Sequence, residues 1–193
     1  MEGENLFPFN AEQPNWHVLF VRSNQEKRIA ERLGGKGVEH YLPCTRPVRQ
    51  WKDRRVRLQV PLFPGYIFVR LPFPERMKVL TLPYVVSMLG SKNSPSVVSE
   101  EEIAVIRRGI EHGDAEPHEY LKTGQRVLIT GGVMSGMEGI LVRKQTGSRV
   151  VISIDSIFRA FAVELDQAFV SPLAPASTPE FQSAPRALST DVI

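Results

Sequence analysis

Pro61-Leu62-Phe63-Pro64-Gly65-Tyr66-Ile67-Phe68-Val69 decides the reading of this chain. Pro64-Gly65 is turn punctuation, and the residues after it alternate, so a strand starts with Tyr66 and Phe68 on one side and Ile67 and Val69 on the other. One face is aliphatic and the other aromatic. A strand with two apolar faces is either covered on both sides, as an ordinary core strand, or keeps its aromatic side for a partner.

Working outward, Asn15 to Arg22 reads as a second strand. Ser23-Asn24-Gln25-Glu26 then carries helix-starting residues. The helix places Ile29, Ala30 and Leu33 at helical spacing, turns Glu26, Lys27, Arg28, Glu31 and Arg32 outward, and stops at Gly34-Gly35. A strand near Val38 to Leu42 precedes a basic excursion. After the Gly65 to Leu71 strand come a short helix at Pro74 to Leu80 and an extended Tyr84 to Leu89. Ser99-Glu100-Glu101-Glu102 is a capping box that opens a helix carrying Ile103, Val105, Ile106 and Ile110. The polar stretch beyond it lacks apolar periodicity and reads as a linker. Runs at Arg126–Ile129, Gly139–Val142, Arg149–Ile154 and Ala160–Leu165, broken by glycine-rich turns, bury their apolar faces by curling into a small barrel.

With 193 residues, 42% of them hydrophobic, the chain has room for two small domains. No apolar run approaches a membrane span, and the N-terminus lacks the basic and apolar regions of a signal peptide, so a cytoplasmic protein without membrane attachment is expected. The single cysteine, Cys44, excludes an internal disulfide, and the four histidines show no metal-ligand spacing. A half-buried strand thiol is expected at Cys44, with no metal and no cofactor. Neither a Walker-type loop, a Ser-His-Asp order nor a carboxylate pair stands out, which argues against an enzyme. The net charge of +3 is unevenly placed. Arg46, Arg49, Lys52, Arg54, Arg55 and Arg57 stand against Asp53 alone, a local +5 that leaves −2 elsewhere. Such a patch, with Trp51 inside it, is either a solvated hairpin or a contact for nucleic acid.

The glycine punctuation Gly124-Gln125-Arg126-Val127, Gly131-Gly132, Gly136 and Glu138-Gly139-Ile140 looks like a KOW motif, with Gly139 at a sharp bend where a Cβ is costly. Joined in order to the Trp16 to Arg22 strand, the Pro61 to Val69 run and the Ser153-Ile154-Asp155-Ser156-Ile157-Phe158 ending, it resembles the NusG family over about residues 15 to 173. The resemblance implies an α+β chain: a flexible leader (1–14), an NGN domain of antiparallel sheet flanked by helices (15–112), a linker (113–120), an SH3-like all-β KOW barrel (121–173) and a disordered tail (174–193). It further implies a monomeric elongation regulator without catalysis. The RNA polymerase clamp helices would meet Phe20, Phe63, Tyr66 and Phe68, and Lys78 and Thr81 would face the opposite side of the polymerase cleft. Arg22, Arg49, Lys52, Arg54, Arg55 and Arg57 would lie toward upstream or non-template DNA. Met134, Met137, Ile157 and Phe158 would meet a ribosomal protein or Rho. Val133-Met134-Ser135-Gly136-Met137 departs from the Pro-Phe-Ala-Gly-Phe of general family members. With the basic excursion, this looks more like the operon-selective antiterminators of the RfaH, LoaP and UpxY type. A ribosome- or RNA-associated KOW protein is the alternative.

Overall fold

The computed structural model describes residues 10–51, 54–91, 94–113, 115–118, 124–144 and 147–173. Most of the expected leader, residue Lys52, much of the expected linker and the tail 174–193 lie outside the described residues.

The first half contains strand β1 (Asn15–Val21), helix α1 (Glu26–Gly35), β2 (Glu39–Tyr41), β3 (Cys44–Thr45), β4 (Val48–Trp51), β5 (Arg54–Arg57), β6 (Val60–Pro61), β7 (Tyr66–Leu71), α2 (Met77–Leu80), β8 (Val85–Met88), β9 (Gly90–Ser91), β10 (Ser94–Pro95), β11 (Val97–Val98) and α3 (Glu100–His112). Its main sheet runs β11-β1-β7-β2, with β8 also pairing with β1, and the β1–β7, β1–β8, β1–β11 and β2–β7 pairs are antiparallel. The two faces separate as the alternation predicts. Leu19, Val21, Ile67 and Val69 pack with Ile29 and Leu33 of α1 and with Val79 and Leu82 around α2. Trp16, Val18 and Phe68 face the other way, with Leu62 and Phe63.

Helix α3 begins as its capping box dictates. The Ser99 hydroxyl accepts the Glu102 N–H at 3.1 Å, and the Ser99 N–H donates to Glu102 Oε2 at 3.0 Å. Gly113, at φ +97°, ends the helix in the left-handed conformation that glycine adopts without a Cβ clash.

The second half holds β12 (Glu116–His118), β13 (Arg126–Ile129), β14 (Glu138–Lys144), β15 (Gly147–Ile154), β16 (Arg159–Leu165) and β17 (Val170–Pro172), in the order β12-β16-β15-β14-β13-β17. Three sequence expectations change here. The segment read as linker supplies β12, whose Glu116, Pro117 and His118 pair with Ala162, Phe161 and Ala160. Residues 10–14 are tied down, since Ala11 is buried and its carbonyl accepts the Phe73 N–H at 2.9 Å. Gly139 is demanded by close approach rather than by a bend: a Cβ there would stand 2.4 Å from Val150 Cγ1 and 2.8 Å from the Val151 carbonyl oxygen.

The two halves share one core. A continuous apolar cluster runs from Trp16, Val18, Phe63 and Phe68 through Ile103 and Ile106 of α3 to Val127, Ile152 and Phe161 of the barrel. Full burial of such side chains is worth roughly 1.5–3 kcal/mol each, and the members of the cluster that meet across α3 and β16 hold the halves together.

Candidate protein-binding and nucleic-acid-binding surfaces

The aromatic face is built by strand register. Phe20 lies directly opposite Tyr66, Val18 opposite Phe68, and Tyr41 of β2 opposite Phe68 on its other side. The Phe20 and Tyr66 rings meet edge to face at 5.8 Å between centroids, and Phe63 meets Phe68 similarly at 6.4 Å. The turn that starts β7 sets their positions. Gly65 sits at φ +82°, its N–H donates to Glu26 Oε1 at 2.8 Å, its carbonyl accepts the Val21 N–H at 2.8 Å, and the Tyr66 N–H closes onto the Phe63 carbonyl at 3.1 Å. Glu26 is therefore turned inward at 4% exposure, against the outward reading of its helix position. Burial of an acid is tolerated where a backbone donor meets it.

Only part of the expected clamp-helix surface reaches solvent. Phe20 is 40% exposed and Tyr66 half-buried, whereas Phe63 and Phe68 are buried. The same chain covers this face. Arg159 of the barrel places its guanidinium 4.8 Å from the Tyr66 ring centroid and donates from Nη2 to the Tyr66 hydroxyl at 2.9 Å. The Ser156 N–H donates to Glu102 Oε1 at 3.1 Å, so one carboxylate both caps α3 and holds the barrel. His112 Nε2 stands 2.8 Å from the Glu164 carbonyl oxygen. Gly109 lies flat under Phe161, where an added Cβ would be 2.3 Å from the ring. Beside the patch, burial pushes Tyr41 up to about 12, while Arg107, 5.4 Å over its ring, pulls the other way.

Lys78, in α2, and Thr81, at its C-terminal end, are exposed, Lys78 paired with Glu75 at 2.7 Å and the Thr81 hydroxyl donating to the Met77 carbonyl at 2.8 Å. The basic excursion is a two-stranded antiparallel ribbon. In it Arg49 opposes Val56, Gln50 opposes Arg55, Trp51 opposes Arg54 and Val48 opposes Arg57, so four of the expected arginines share one ribbon. Arg22 is exposed at the end of β1. Cys44 is half-buried in β3, as expected, and burial raises its thiol pKa.

On the barrel the expected contact set divides. Met134, Met137 and Ile157 are core residues at 0%, 5% and 2% exposure; the Val133–Met137 turn, closed by the Gly136 N–H donating to the Ile129 carbonyl, buries both methionines and leaves Val133 exposed. In this arrangement they are not available as surface contacts. Phe158 is the reverse, 65% exposed at φ +50°. Sequence reasoning missed the inward turn of Glu26, the second bond of Glu102 to the Ser156 N–H, and the contacts of Gly109 and Arg159. Of the two residues it did not name, Gly109 carried a local signal, as a glycine interrupting a helical pattern.

The fold is an α+β sheet unit with an aromatic face, packed against a β-rich C-terminal unit of six antiparallel strands. Residues 14–107 match the family described as NusG, transcription termination factor nusG, and this part of the chain is a NusG-family domain. The chain is 25% identical over 162 residues to a transcription termination/antitermination protein NusG of Rickettsia bellii, covering 78% of this chain and 85% of that protein. It is 26% identical over 180 residues to the protein of the same name from Lactococcus lactis, covering 86% of this chain and 95% of that one. A solved structure described as "Domain interaction in Thermotoga maritima NusG" superposes with a TM-score of 0.52 at 21% identity, covering 85% of this chain and 99% of the other, and supports the fold.

Proposed function

We propose that this chain is a transcription elongation regulator that rides on RNA polymerase. Phe20 and Tyr66, backed by Phe63 and Phe68, receive the polymerase clamp helices. Lys78 and Thr81 face the opposite side of the cleft, and Arg22 with the Val48–Arg57 ribbon lies toward upstream or non-template DNA. Exposed Phe158 meets a ribosomal protein or Rho. The diverged Val133–Met137 turn and the ribbon favour selective antitermination at particular operons.

The observation that carries the reading is the cross-strand pair of Phe20 and Tyr66, an aromatic surface at the end of a sheet whose other face is already filled by α1 and α2. Paired aromatics of this kind are frequent interface anchors. The relatives named as transcription termination/antitermination proteins support the same reading. Because Arg159 occupies Tyr66, polymerase binding and barrel docking compete for that ring.

Binding of the full chain to RNA polymerase at moderate salt, where general arginine attraction is screened, tests this. Phe20→Ala is expected to weaken binding about tenfold or more while leaving the unfolding transition in place. Wild-type affinity in that variant, or no binding by the wild type, ends the proposal.

A further inference from the structure

A groove of about 390 Å³ opens between the Phe73–Arg76 turn, α2 and β8, and the elongation reading makes no use of it. Phe73, Leu80, Val86, Met88 and Pro95 supply apolar walls, and Arg76 is the charged residue among the described ones that line it. Val86 is 56% exposed, whereas Val18, Val21 and Val69 of the neighbouring strands are buried. An open apolar groove with a strand valine turned to water suits an occupant with apolar side chains of its own.

Arg76 adds a charge requirement. Its guanidinium lies 4.4 Å over the Phe73 ring, and Nη1 donates to the Phe73 carbonyl at 3.1 Å, so the group is held at the groove. Glu75, next to it, is already paired with Lys78 at 2.7 Å, and among the described residues Arg76 forms no ion pair. The occupant should therefore be acidic as well as apolar.

The chain itself delivers such a segment to this place. Ala11 is buried and its carbonyl accepts the N–H of Phe73, a groove residue, at 2.9 Å. Asn10 is pinned beside it, its carbonyl accepting from Asn15 Nδ2 at 2.8 Å. Residues 1–9 precede this anchor and lie outside the described residues; they read Met-Glu-Gly-Glu-Asn-Leu-Phe-Pro-Phe. Leu6, Phe7 and Phe9 are the apolar part, Glu2 and Glu4 the acidic part, and Pro8 biases Phe7 to extended backbone. The four residues next to the anchor reach about 13 Å when extended, enough to cross a groove whose edge is at Phe73. A tether this short also gives the segment an effective concentration on the order of millimolar, so contacts too weak to hold a free peptide suffice.

We propose that residues 1–9 fold back from Asn10 into this groove, with Leu6, Phe7 and Phe9 against its apolar walls and Glu2 and Glu4 neutralising Arg76. The inference rests on the groove and the anchor, and stands apart from the elongation reading.

The test labels the methionine methyl groups of the full chain and follows them by NMR. The chain has five methionines, and Met88 lines the groove while Met134 and Met137 lie buried in the barrel as internal controls. Phe7→Ser/Phe9→Ser is expected to shift the Met88 signal and leave Met134 and Met137 in place. A peptide of residues 1–9 added to that variant at millimolar concentration should return Met88 toward its wild-type position. Glu2→Lys/Glu4→Lys should shift Met88 in the same direction, and combining it with Arg76→Glu, which swaps the charges, should cancel that shift relative to Arg76→Glu alone. Met88 unmoved in Phe7→Ser/Phe9→Ser leaves the groove to another protein and overturns the proposal. A wild-type Met88 signal that moves with protein concentration makes a second copy the occupant and overturns it equally. Movement of Met134 and Met137 together with Met88 would mean that the segment supports the whole fold rather than filling one groove, and also overturns it.

Discussion

At Gly65 three constraints meet: a φ of +82°, an N–H committed to the buried Glu26, and a Phe20 ring 3.2 Å from where a Cβ would stand. Gly65→Ala is expected to cost about 1–3 kcal/mol in urea unfolding, and to weaken polymerase binding because the ring it displaces is the exposed anchor. An unfolding midpoint equal to wild type would show that the turn is not under this constraint. His17 makes a second prediction at this scale. It is fully buried beside Phe73, and burial lowers its pKa from 6.5 although the Ser96 carbonyl works the other way. The unfolded chain therefore binds this proton more readily than the folded one. The contribution of neutral His17 is complete above pH 6.5 and declines as pH falls below it. Thermal melts across that interval should show a slope that His17→Leu flattens. The Pro64-Gly65 turn was readable because turn chemistry is local. Glu26 was not: an acid in a first helical turn suits solvent and the helix dipole equally well, and only the returning chain at Gly65 draws it inward.

Helix α3 shows the same division within one element. Its capping box needs four consecutive residues and is evident in the sequence; the second task of Glu102, holding the Ser156 N–H, depends on a partner 54 positions away. Gly109 lets the helix lie against Phe161. Gly109→Val should therefore leave α3 helical, since valine is the better helix former, yet force the barrel off. Limited proteolysis between residues 113 and 124 should accelerate, and polymerase affinity should rise as Tyr66 is released. An unaltered digestion pattern would mean that the contact yields by repacking. The strands of both halves were legible through their period of two. Whether Phe63, Phe68, Met134 and Met137 faced solvent or core was not, because an apolar side chain in a strand or turn suits either site until the covering element is known.

For the whole molecule, the α+β class and the sheet-then-barrel order follow from local pattern, but the docking of barrel on sheet does not, because it is carried by contacts such as Arg159 with Tyr66 that leave no periodicity. Strand β12 belongs to this scale as well. It starts three residues after Gly113, a reach of about 10 Å when extended. The halves cannot part further without peeling Glu116, Pro117 and His118 from β16. The unlatched chain would then carry a bare rim along Ala160, Phe161 and Ala162, with backbone donors and acceptors that a passing strand can complete. Sedimentation of Gly109→Val should show association that grows with concentration, against a wild type that shows none; a monomeric opened variant would mean that β12 stays zipped. The short tether is thus also a stopper, and loosening the molecule uncovers an adhesive edge in the act of freeing its aromatic face.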